Sequence, residues 1–387
     1  MTTYARKDIT FLKGDGVWLW DQKGTKYLDA LSGIAVCGLG HAHPDIAETI
    51  CHQANTLLHT SNIYRIEAQE KLGQKLCEIS LMDKVFFSNS GAEANEAAIK
   101  LARLYGHNNN IDSPCILVFE NSFHGRTMAT LTATGNRKAH AGFEPLVSGF
   151  VRAPFDDIET ISQICESNSN LCAIFLEPIQ GEGGIQVPSD NFLSEIRDLC
   201  DQHNLLLMLD EIQTGNGRTG EWFAYQHPSV LPDVVTTAKG LGNGMPIGAC
   251  LARGKAAELF TPGTHGSTFG GNPLACATAL KVLSIIEKNN LLANVEAMGK
   301  LLINQLETKL VDEPLIKQIR GKGLMLGIEL NQECPEIVDI ALKKNLLINV
   351  TAGNVIRILP PLIIDQEQTM QAANIICECI AEFKNKH

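Results

Sequence analysis

The sequence predicts an α/β protein with a doubly wound, mostly parallel sheet in its large domain and a smaller α+β domain at its C-terminal end. Between positions 84 and 252, short apolar runs alternate with stretches long enough for a crossover helix. That alternation is typical of a parallel sheet covered by helices on both faces. The length of 387 residues exceeds what one small core usually fills, which indicates a second, smaller domain.

The predicted strands of the large domain follow one another in a regular order. They are KVFFS, CILVF, LCAIFLEP, LLLMLDE, DVVTTA and GACLA. Between positions 324 and 363 the runs LMLGIEL, LLINV and VIRILPPLII lie close together, with TAG as a turn between the last two. This spacing predicts a small meander in the C-terminal domain.

The tail from Asp365 predicts a closing helix with that residue as its N-cap. One apolar stripe of this helix would contain Met370, Ala373, Ile376, Ile380 and Phe383. We expect residues 1–48 to form an N-terminal segment that packs with the small domain. Residues 49–272 would form the large, cofactor-binding domain, and residues 273–387 the small domain.

Charge and composition exclude several classes of function. The formal net charge is -11 and the 32 Lys and Arg residues form no basic run, which argues against nucleic acid or anionic membrane as a partner. The sequence contains neither a signal-peptide core nor a membrane-spanning apolar run, so we expect a cytoplasmic protein. The 12 cysteines lie far apart and form no C-x-x-C, which favours reduced packing residues over disulfides or a zinc site, and we predict no metal.

Ligands of open α/β sheets bind beyond the carboxyl ends of the strands, so the residues at these ends are informative. After KVFF comes SNSGAEANEAAIK, in which Ser90 and Glu93 have the spacing of a capping box and Gly91 permits close approach of a ligand. A helix N-terminus of this kind suits a phosphate group. Taken alone, the motif is more often an ordinary capped helix.

The next two strand ends also carry polar residues. ENSFHGRT contains Phe123, His124 and Arg126, and an arginine suits bidentate binding of a carboxylate. LEPIQGEGG places Glu182 in a glycine-rich turn. Considered one at a time, the arginine could equally be a surface residue and the glutamate a solvated loop residue.

Two charged residues at neighbouring strand ends carry the strongest signal. LLLMLDE ends near Asp210, and TTAKGLGNG places Lys239 after the following strand, so both would face one crevice. Lys239 could be a surface residue, or its amine could form an imine with a carbonyl compound, as in pyridoxal phosphate chemistry. That cofactor also needs a phosphate cradle, an acid at its pyridine nitrogen and a flat residue on its ring. Residues 90–92, Asp210 and Phe123 could supply these.

Two other motifs have less support. GNGRTG, at positions 215–220, matches the G-x-G-x-x-G dinucleotide pattern, but four residues separate it from the strand and no crossover helix follows. His41 and His43 in GHAHP could be metal ligands, although no third ligand is evident and a loop before Pro44 explains them.

Taken together, six motifs resemble those of the class III, fold type I pyridoxal phosphate aminotransferases, and the resemblance extends over nearly the whole chain. The motifs are NSGAEANEAAIKLAR, SFHGRT, EPIQGEGG, LDEIQTGNGRTG, TTAKGLGNGMPIGA and STFGGNPLACA. FHGRT, GSTFGGNPLACA and LLINVTAGNVIRILPPL are similar to members that transfer the terminal amine of N2-acetyl-L-ornithine to 2-oxoglutarate in arginine biosynthesis. Related members that use ornithine, succinylornithine, N-succinyl-diaminopimelate or 4-aminobutyrate stay open as alternatives. So does a nucleotide-binding dehydrogenase or a noncatalytic α/β module that uses GNGRTG.

The resemblance implies a role for each residue near the cofactor. Lys239 would form a Schiff base with pyridoxal phosphate and then move a proton between the substrate carbon and the cofactor. Asp210 would keep the pyridine nitrogen protonated. Gln213 would bond the phenolic oxygen and Phe123 would stack on the ring. The phosphate would be bound by Ser90, Gly91 and Ala92, and by Thr268 from the other subunit of a homodimer.

The resemblance also implies how two different substrates share one site. Ser267 would contact substrate, and Arg126 would bind the distant carboxylate of either substrate. Arg357 would bind the α-carboxylate of 2-oxoglutarate, whereas Glu182 would pair with Arg357 during the first half-reaction and release it in the second. This is a switch made by a movable salt bridge.

Overall fold

The computed structural model describes residues 1–386. Within that range the strands are β1 Phe11–Asp15, β2 Trp18–Asp21, β3 Lys26–Asp29, β4 Lys84–Ser88, β5 Cys115–Phe119, β6 Phe150–Ala153, β7 Leu171–Leu176, β8 Leu206–Asp210, β9 Val234–Thr237, β10 Gly248–Ala252, β11 Ile316–Lys322, β12 Met325–Leu330, β13 Leu346–Leu347, β14 Asn349–Thr351 and β15 Val355–Ile358.

The α-helices are α1 Ser32–Ala35, α2 Pro44–Thr56, α3 Glu67–Ser80, α4 Gly91–Asn108, α5 Met128–Ala133, α6 Arg137–His140, α7 Ile158–Ser167, α8 Phe192–Gln202, α9 Pro273–Lys288, α10 Leu291–Leu310, α11 Ile337–Lys343 and α12 Gln366–Lys384. Short 3-10 helices cover Ala224–Gln226, Lys239–Leu241 and Gly254–Glu258. None of the helices in residues 1–386 has both the length and the apolar character needed to cross a membrane.

The central sheet has the strand order β4-β10-β9-β8-β7-β5-β6. Its strands are parallel except β10, which pairs antiparallel with both β4 and β9. Every residue of β7 and β8 is buried, as expected for strands covered on both faces. The predicted doubly wound, mostly parallel sheet is confirmed, and all six predicted strands form. Strand β6 was not predicted, because its four residues include a charged arginine.

The prediction of a C-terminal meander is wrong in its connections. The run LLINV is divided between two sheets, because β13 pairs parallel with β3 of the N-terminal sheet whereas β14 pairs with β15. The small antiparallel sheet has the order β11-β12-β15-β14, so β12 and β14 both flank β15. Its edge strand β11 was also missed, because its sequence IKQIRGK is rich in charge.

The closing helix begins as predicted, with one error on its apolar stripe. The Asp365 carboxylate accepts a hydrogen bond from the amide of Gln368 at 2.8 Å, which confirms the N-cap. Ala373, Ile376, Ile380 and Phe383 are buried. Met370 is 39% exposed, and the buried residue of that turn is Thr369. Successive helical residues are rotated by about 100°, so the buried face runs through position 369 and leaves its neighbour outside.

Two apolar cores meet at α9. Val17 and Leu28 of the N-terminal segment share one core with residues of β12, β15 and α12. Leu283 of α9 belongs to the core beneath the central sheet, whereas Val282 belongs to the core of the small domain. The boundaries at 48/49 and 272/273 stay predictions.

Glu211, directly after β8, makes stability depend on pH. Burial raises the pKa of this fully buried carboxyl group from 4.5 to about 7, while hydrogen bonds from Thr214 and from the amide of Tyr225 act in the opposite direction. Between these two values the folded state keeps a proton that the unfolded state releases. The free energy of unfolding therefore falls as pH rises through this window, by up to about 1.4 kcal/mol per pH unit for this group.

We expect Glu211→Gln to remove this contribution to the pH dependence. Urea unfolding between pH 5 and 6.5 would measure the slope of the unfolding free energy, which should become less negative by about 1.4 kcal/mol per pH unit. Glu195→Gln, at an exposed position of α8, is the matched control. Parallel curves for the wild type and Glu211→Gln would contradict the assignment.

Candidate active site

A cavity of about 390 Å³ lies at the carboxyl ends of the parallel strands. This volume is within the range of small-molecule sites, and the position is where open α/β sheets bind ligands. The predicted residues that line it are Ser90, Gly91, Ala92, Phe123, Arg126, Glu182, Asp210, Gln213 and Lys239. The tertiary structure thus brings together residues that are up to 149 positions apart, from Ser90 to Lys239.

Asp210, the last residue of β8, is held in a buried hydrogen-bond network. Its side chain accepts the Nδ1–H of His124 at 2.8 Å and the side-chain amide of Asn95 at 2.8 Å. The Asn95 oxygen in turn accepts the hydroxyl of Thr236 at 2.6 Å. Asp210 itself is 4% exposed, so its carboxylate is oriented toward the cavity by neighbours rather than by water.

Lys239 is the first residue of a 3-10 turn that begins two residues after β9. Burial lowers the pKa of its amine, and the positive charge of Arg357 acts in the same direction, whereas Glu182 and Asp210 oppose the shift. A lowered pKa increases the fraction of neutral amine, which is the nucleophilic form. The residue has a φ of +42°.

Glu177 is a titratable residue of the cavity that the sequence analysis missed. Its carboxylate accepts the backbone amides of Phe123 at 2.8 Å and Gly181 at 3.0 Å. Burial raises its pKa to about 7, with Asp210 acting in the same direction and His124 opposing. Its position after the apolar strand LCAIFL is the same signal that identified Asp210. Asn95 gave a weaker signal, namely a polar residue one turn after Gly91 on α4.

The N-terminus of α4 has the geometry of an anion site. The hydroxyl of Ser90 accepts the amide of Glu93 at 3.2 Å, and the carboxylate of Glu93 accepts the amide of Asn89 at 2.6 Å. A Cβ at position 91 would lie 2.7 Å from Cδ1 of Ile212, so glycine is what allows α4 to pack this close to the end of β8. The Ser90 hydroxyl takes up only the amide of Glu93, which leaves the amides of Gly91 and Ala92 for a phosphate.

Arg357 on β15 is fully buried, and one nitrogen of its guanidinium has no hydrogen-bond acceptor among residues 1–386. Its Nη1 donates to Glu182 at 2.6 Å and its Nε to the side chain of Asn349 at 3.1 Å. Its Nη2 is buried without an acceptor among residues 1–386. An unsatisfied buried donor is costly, which marks this nitrogen as a candidate for binding an anionic ligand. The side chain of Glu182 is 38% exposed, so it has room to move away.

The remaining predicted residues lie at the rim or outside the cavity. Arg126 is exposed, with its guanidinium carbon 5.5 Å from the ring centre of Phe123. The hydroxyl of Ser267 accepts a hydrogen bond from the side chain of Asn89 at 3.3 Å, and Asn89 is a lining residue. Thr268 is exposed and lies outside the lining of the cavity within its own chain. His41, the candidate metal ligand, instead forms an ion pair with Asp29 at 2.7 Å.

Pyridoxal phosphate places specific demands on a site, and the described residues fit them. The amine of Lys239 can react with its aldehyde, and the buried carboxylate of Asp210 can hold its ring nitrogen protonated. The helix N-terminus at Gly91 matches its phosphate, and Phe123 offers an aromatic face. Fold and site together thus define an enzyme that depends on pyridoxal phosphate.

The comparison with known families narrows this class to one family. The model of the class-III aminotransferases matches residues 3–380, and the chain belongs to that family. It is therefore a pyridoxal phosphate-dependent aminotransferase, as the motif resemblance implied.

Individual relatives match over almost their whole length. The chain is 56% identical over 383 residues to an acetylornithine aminotransferase of Nitrosomonas europaea, covering 99% of this chain and 98% of the relative. An N-acetylornithine aminotransferase structure from Stenotrophomonas maltophilia K279a has a TM-score of 0.87 at 36% identity, covering 100% of this chain and 99% of that chain. An ornithine aminotransferase structure from Toxoplasma gondii, described with partial occupancy of PLP at its active site, has a TM-score of 0.96 at 33% identity, covering 100% and 93%.

Proposed function

We propose that the protein transfers the terminal amino group of N2-acetyl-L-ornithine to 2-oxoglutarate, giving N-acetyl-L-glutamate 5-semialdehyde and L-glutamate. The observation that carries the proposal is the 56% identity to an acetylornithine aminotransferase over nearly the full length of both chains. The cavity supports it: Lys239 and Arg126 line it, and Arg357 is paired with the lining residue Glu182. Two arginines could thus bind the two carboxylates of 2-oxoglutarate.

Ornithine is the second candidate amine donor. It is favoured by the TM-score of 0.96 with an ornithine aminotransferase, against 0.87 with an N-acetylornithine aminotransferase. A TM-score compares the path of the backbone, whereas the side chains of the pocket select the substrate. The identity of 56% to an acetylornithine enzyme, against 33% to the ornithine enzyme, is therefore the stronger guide.

The residues around the cofactor would divide its binding and activation among them. When bound, pyridoxal phosphate supplies a carbonyl that captures amines and a ring that stabilises negative charge on the substrate carbon. Lys239 would attach the cofactor and, once displaced by substrate, move the proton at that carbon. Asp210 would hold the pyridine nitrogen protonated, Gln213 would bond the phenolic oxygen and Phe123 would cover the ring. The phosphate would be bound by Ser90, Gly91 and Ala92.

The substrate carboxylates would be bound by the two arginines in turn. Arg126 at the rim would bind the α-carboxylate of acetylornithine and later the γ-carboxylate of 2-oxoglutarate, beside Ser267. Among the described residues Arg357 is paired with Glu182, which balances its charge before 2-oxoglutarate binds. For 2-oxoglutarate, Glu182 would move away and Arg357 would bind the α-carboxylate. The 38% exposure of the Glu182 side chain supports such a movement.

The Arg357→Ala variant tests this switch. We expect the ratio of rate constant to KM for the half-reaction with 2-oxoglutarate to fall about 100-fold, because a charge-assisted contact with the carboxylate disappears. The half-reaction with the amine donor should change far less. Single-turnover absorbance of the cofactor measures each half separately. Glu182→Gln is the complementary variant and should still bind 2-oxoglutarate. Equal losses of rate in both half-reactions of the Arg357→Ala variant would reject the switch.

A homodimer is part of the proposal. Thr268 would complete the phosphate site of the partner subunit, which fits its exposure and its place outside its own cavity. Phe269 beside it is 59% exposed, and Ile63 is 80% exposed, as expected for residues that a second copy covers. Sedimentation equilibrium should give twice the 42.1 kDa chain mass. A monomer with full activity would contradict the shared site.

A cytoplasmic location without nucleic-acid or membrane partners stays a prediction.

A panel of amine donors tests the proposed substrate. Purified holoenzyme, which should be yellow, is incubated with 2-oxoglutarate and acetylornithine, ornithine, succinylornithine, N-succinyl-diaminopimelate or 4-aminobutyrate, and glutamate is measured. We expect acetylornithine to give the highest kcat/KM. A higher value for ornithine would replace the substrate assignment with the second candidate.

A further inference from the structure

The motif GNGRTG, which matches a dinucleotide fingerprint, has another place in this fold. Residues 215–220, called here the 215–220 turn, lie five residues beyond β8 and outside the lining of the cavity. The turn is nevertheless deeply buried: Asn216 is 4% exposed, and Arg218 and Thr219 are 2% exposed. It lies between the strand that leads to Lys239 and the small domain that carries Arg357.

On one side the turn is anchored to the backbone before Lys239. The side-chain amide of Asn216 donates to the carbonyl oxygen of Ala238 at 3.1 Å and to the hydroxyl of Thr237 at 2.8 Å. Ala238 directly precedes Lys239, whose φ of +42° lies in the left-handed region that non-glycine residues rarely adopt. Such a conformation persists only where surrounding contacts determine it. The Asn216 amide supplies two of those contacts.

On the other side the turn is anchored to the small domain. One guanidinium nitrogen of Arg218 donates to the carbonyl oxygens of Leu324 at 3.1 Å and Pro360 at 2.5 Å. The carbonyl oxygen of Arg218 also accepts the amide of Leu324 at 3.0 Å. Pro360 lies three positions after Arg357, just beyond the end of β15. The rigid guanidinium therefore sets where the end of β15 lies relative to the turn.

The segment around Pro360 in turn positions the wall of the cavity. The amide of Leu359 donates to the carbonyl oxygen of Ala30 at 2.7 Å, and that of Leu362 to Gly38 at 2.7 Å. Between these two contacts lies Val36, which lines the cavity. A shift of Pro360 would thus move Arg357, three positions before it, and also the segment that contains Val36.

Arg218 holds this place without a carboxylate as hydrogen-bond partner among the described residues. Burial lowers the pKa of its guanidinium to about 9, and the charge of Asp29 only partly offsets this. Burying a cation on carbonyl oxygens alone costs stability. The contact therefore contributes more to geometry than to the net stability of the fold.

We propose that Asn216 and Arg218 are positioning residues that together set the distance between the amine of Lys239 and the guanidinium of Arg357. The inference rests on the proposed function in one respect, namely that 2-oxoglutarate binds at Arg357. It does not depend on which amine donor the enzyme uses.

The test compares Arg218→Lys and Asn216→Ala in the holoenzyme. Lysine keeps the charge but loses the planar fork, so Arg218→Lys should raise KM for 2-oxoglutarate and the Kd of this acid, measured from cofactor absorbance, about tenfold. The rate constant of the amine half-reaction should stay within about twofold. Asn216→Ala should instead slow the amine half-reaction about tenfold and shift the pH at which the cofactor absorbance changes, with the Kd for 2-oxoglutarate little altered.

Arg152→Lys is the matched control. Its guanidinium is partly rather than fully buried, and like that of Arg218 it donates to main-chain oxygens outside the lining of the cavity, those of Thr132 at 2.7 Å and Thr134 at 3.0 Å. We expect this variant to change stability and leave the Kd for 2-oxoglutarate unchanged. The proposal would be overturned if the Kd for 2-oxoglutarate changed equally in Arg218→Lys and Arg152→Lys. It would also be overturned if Arg218→Lys lost rate in proportion in both half-reactions.

Two further arms keep the outcome interpretable. If Arg218→Lys does not fold, Asn216→Ser and Asn216→Ala carry the test, and an unchanged amine half-reaction and absorbance titration in both would overturn the inference. If the wild type rejects acetylornithine, the proposed substrate fails, while the same measurements with any accepted donor still decide the role of the turn.

Discussion

Lys239→Ala is expected to lower kcat by at least about 10³-fold, because the variant loses the group that moves the proton at the substrate carbon. Burial already lowers the pKa of the Lys239 amine, with Arg357 acting in the same direction, so a larger fraction of this amine is neutral than in an exposed lysine. No other lysine lines the cavity among residues 1–386. The variant should still bind the cofactor noncovalently through the N-terminus of α4.

Single-turnover absorbance measurements and borohydride reduction followed by peptide mapping check this result. Lys239→Arg separates the two possible contributions of the lysine. It keeps a positive charge but cannot give up a proton, so it should be as inactive as the alanine variant. Lys343→Ala, at an exposed position of α11, should behave as the wild type. Activity of Lys239→Arg near the wild-type level would reject proton transfer by this residue.

Asp210→Asn should produce the second largest loss, about 10²- to 10³-fold in kcat. The substitution keeps the size of the side chain but removes the negative charge that would hold the pyridine nitrogen protonated. Two donors, from His124 and Asn95, converge on one oxygen of Asp210 at 2.8 Å each. The asparagine can satisfy both with its carbonyl oxygen, so the fold should survive while the electrostatics change.

Steady-state kinetics and a pH titration of the cofactor absorbance measure the effect. Asp198→Asn, at an exposed position of α8, is the control and should leave both unchanged. A kcat within threefold of the wild type in Asp210→Asn would show that the ring nitrogen does not depend on this carboxylate. His124→Gln should give a smaller loss, because it changes one hydrogen bond to Asp210 and leaves the negative charge of Asp210 in place.

Local patterns in the sequence were sufficient for much of the fold and for many of the residues that line the cavity. Short apolar runs predicted six strands of the central sheet. The residues that follow these strands predicted Ser90, Phe123, Asp210 and Lys239 as neighbours. The reason is that the carboxyl ends of parallel strands all lie at the same end of the sheet. A residue that directly follows its strand is therefore placed near the residues that follow the other strands. The N-cap at Asp365 was predictable for a similarly local reason.

The missed elements depend on partners far away in the chain. Nothing within LLINV indicates that β13 pairs with β3 while β14 pairs with β15, because either pairing suits the same residues. The exposure of Met370 follows from which face of α12 packs against the rest of the small domain. Glu177 carried a readable strand-end signal, but its raised pKa comes from burial next to Asp210.

The sequence by itself determined the reaction class, because the residues that we propose bind and activate the cofactor lie at strand and helix ends that local patterns specify. The tertiary structure decided how those residues act together. It pairs Arg357 with Glu182 across 175 positions and makes a dinucleotide-like motif into a contact between the two domains. These features depend on burial and on the packing of one domain against another, which no local pattern of residues encodes.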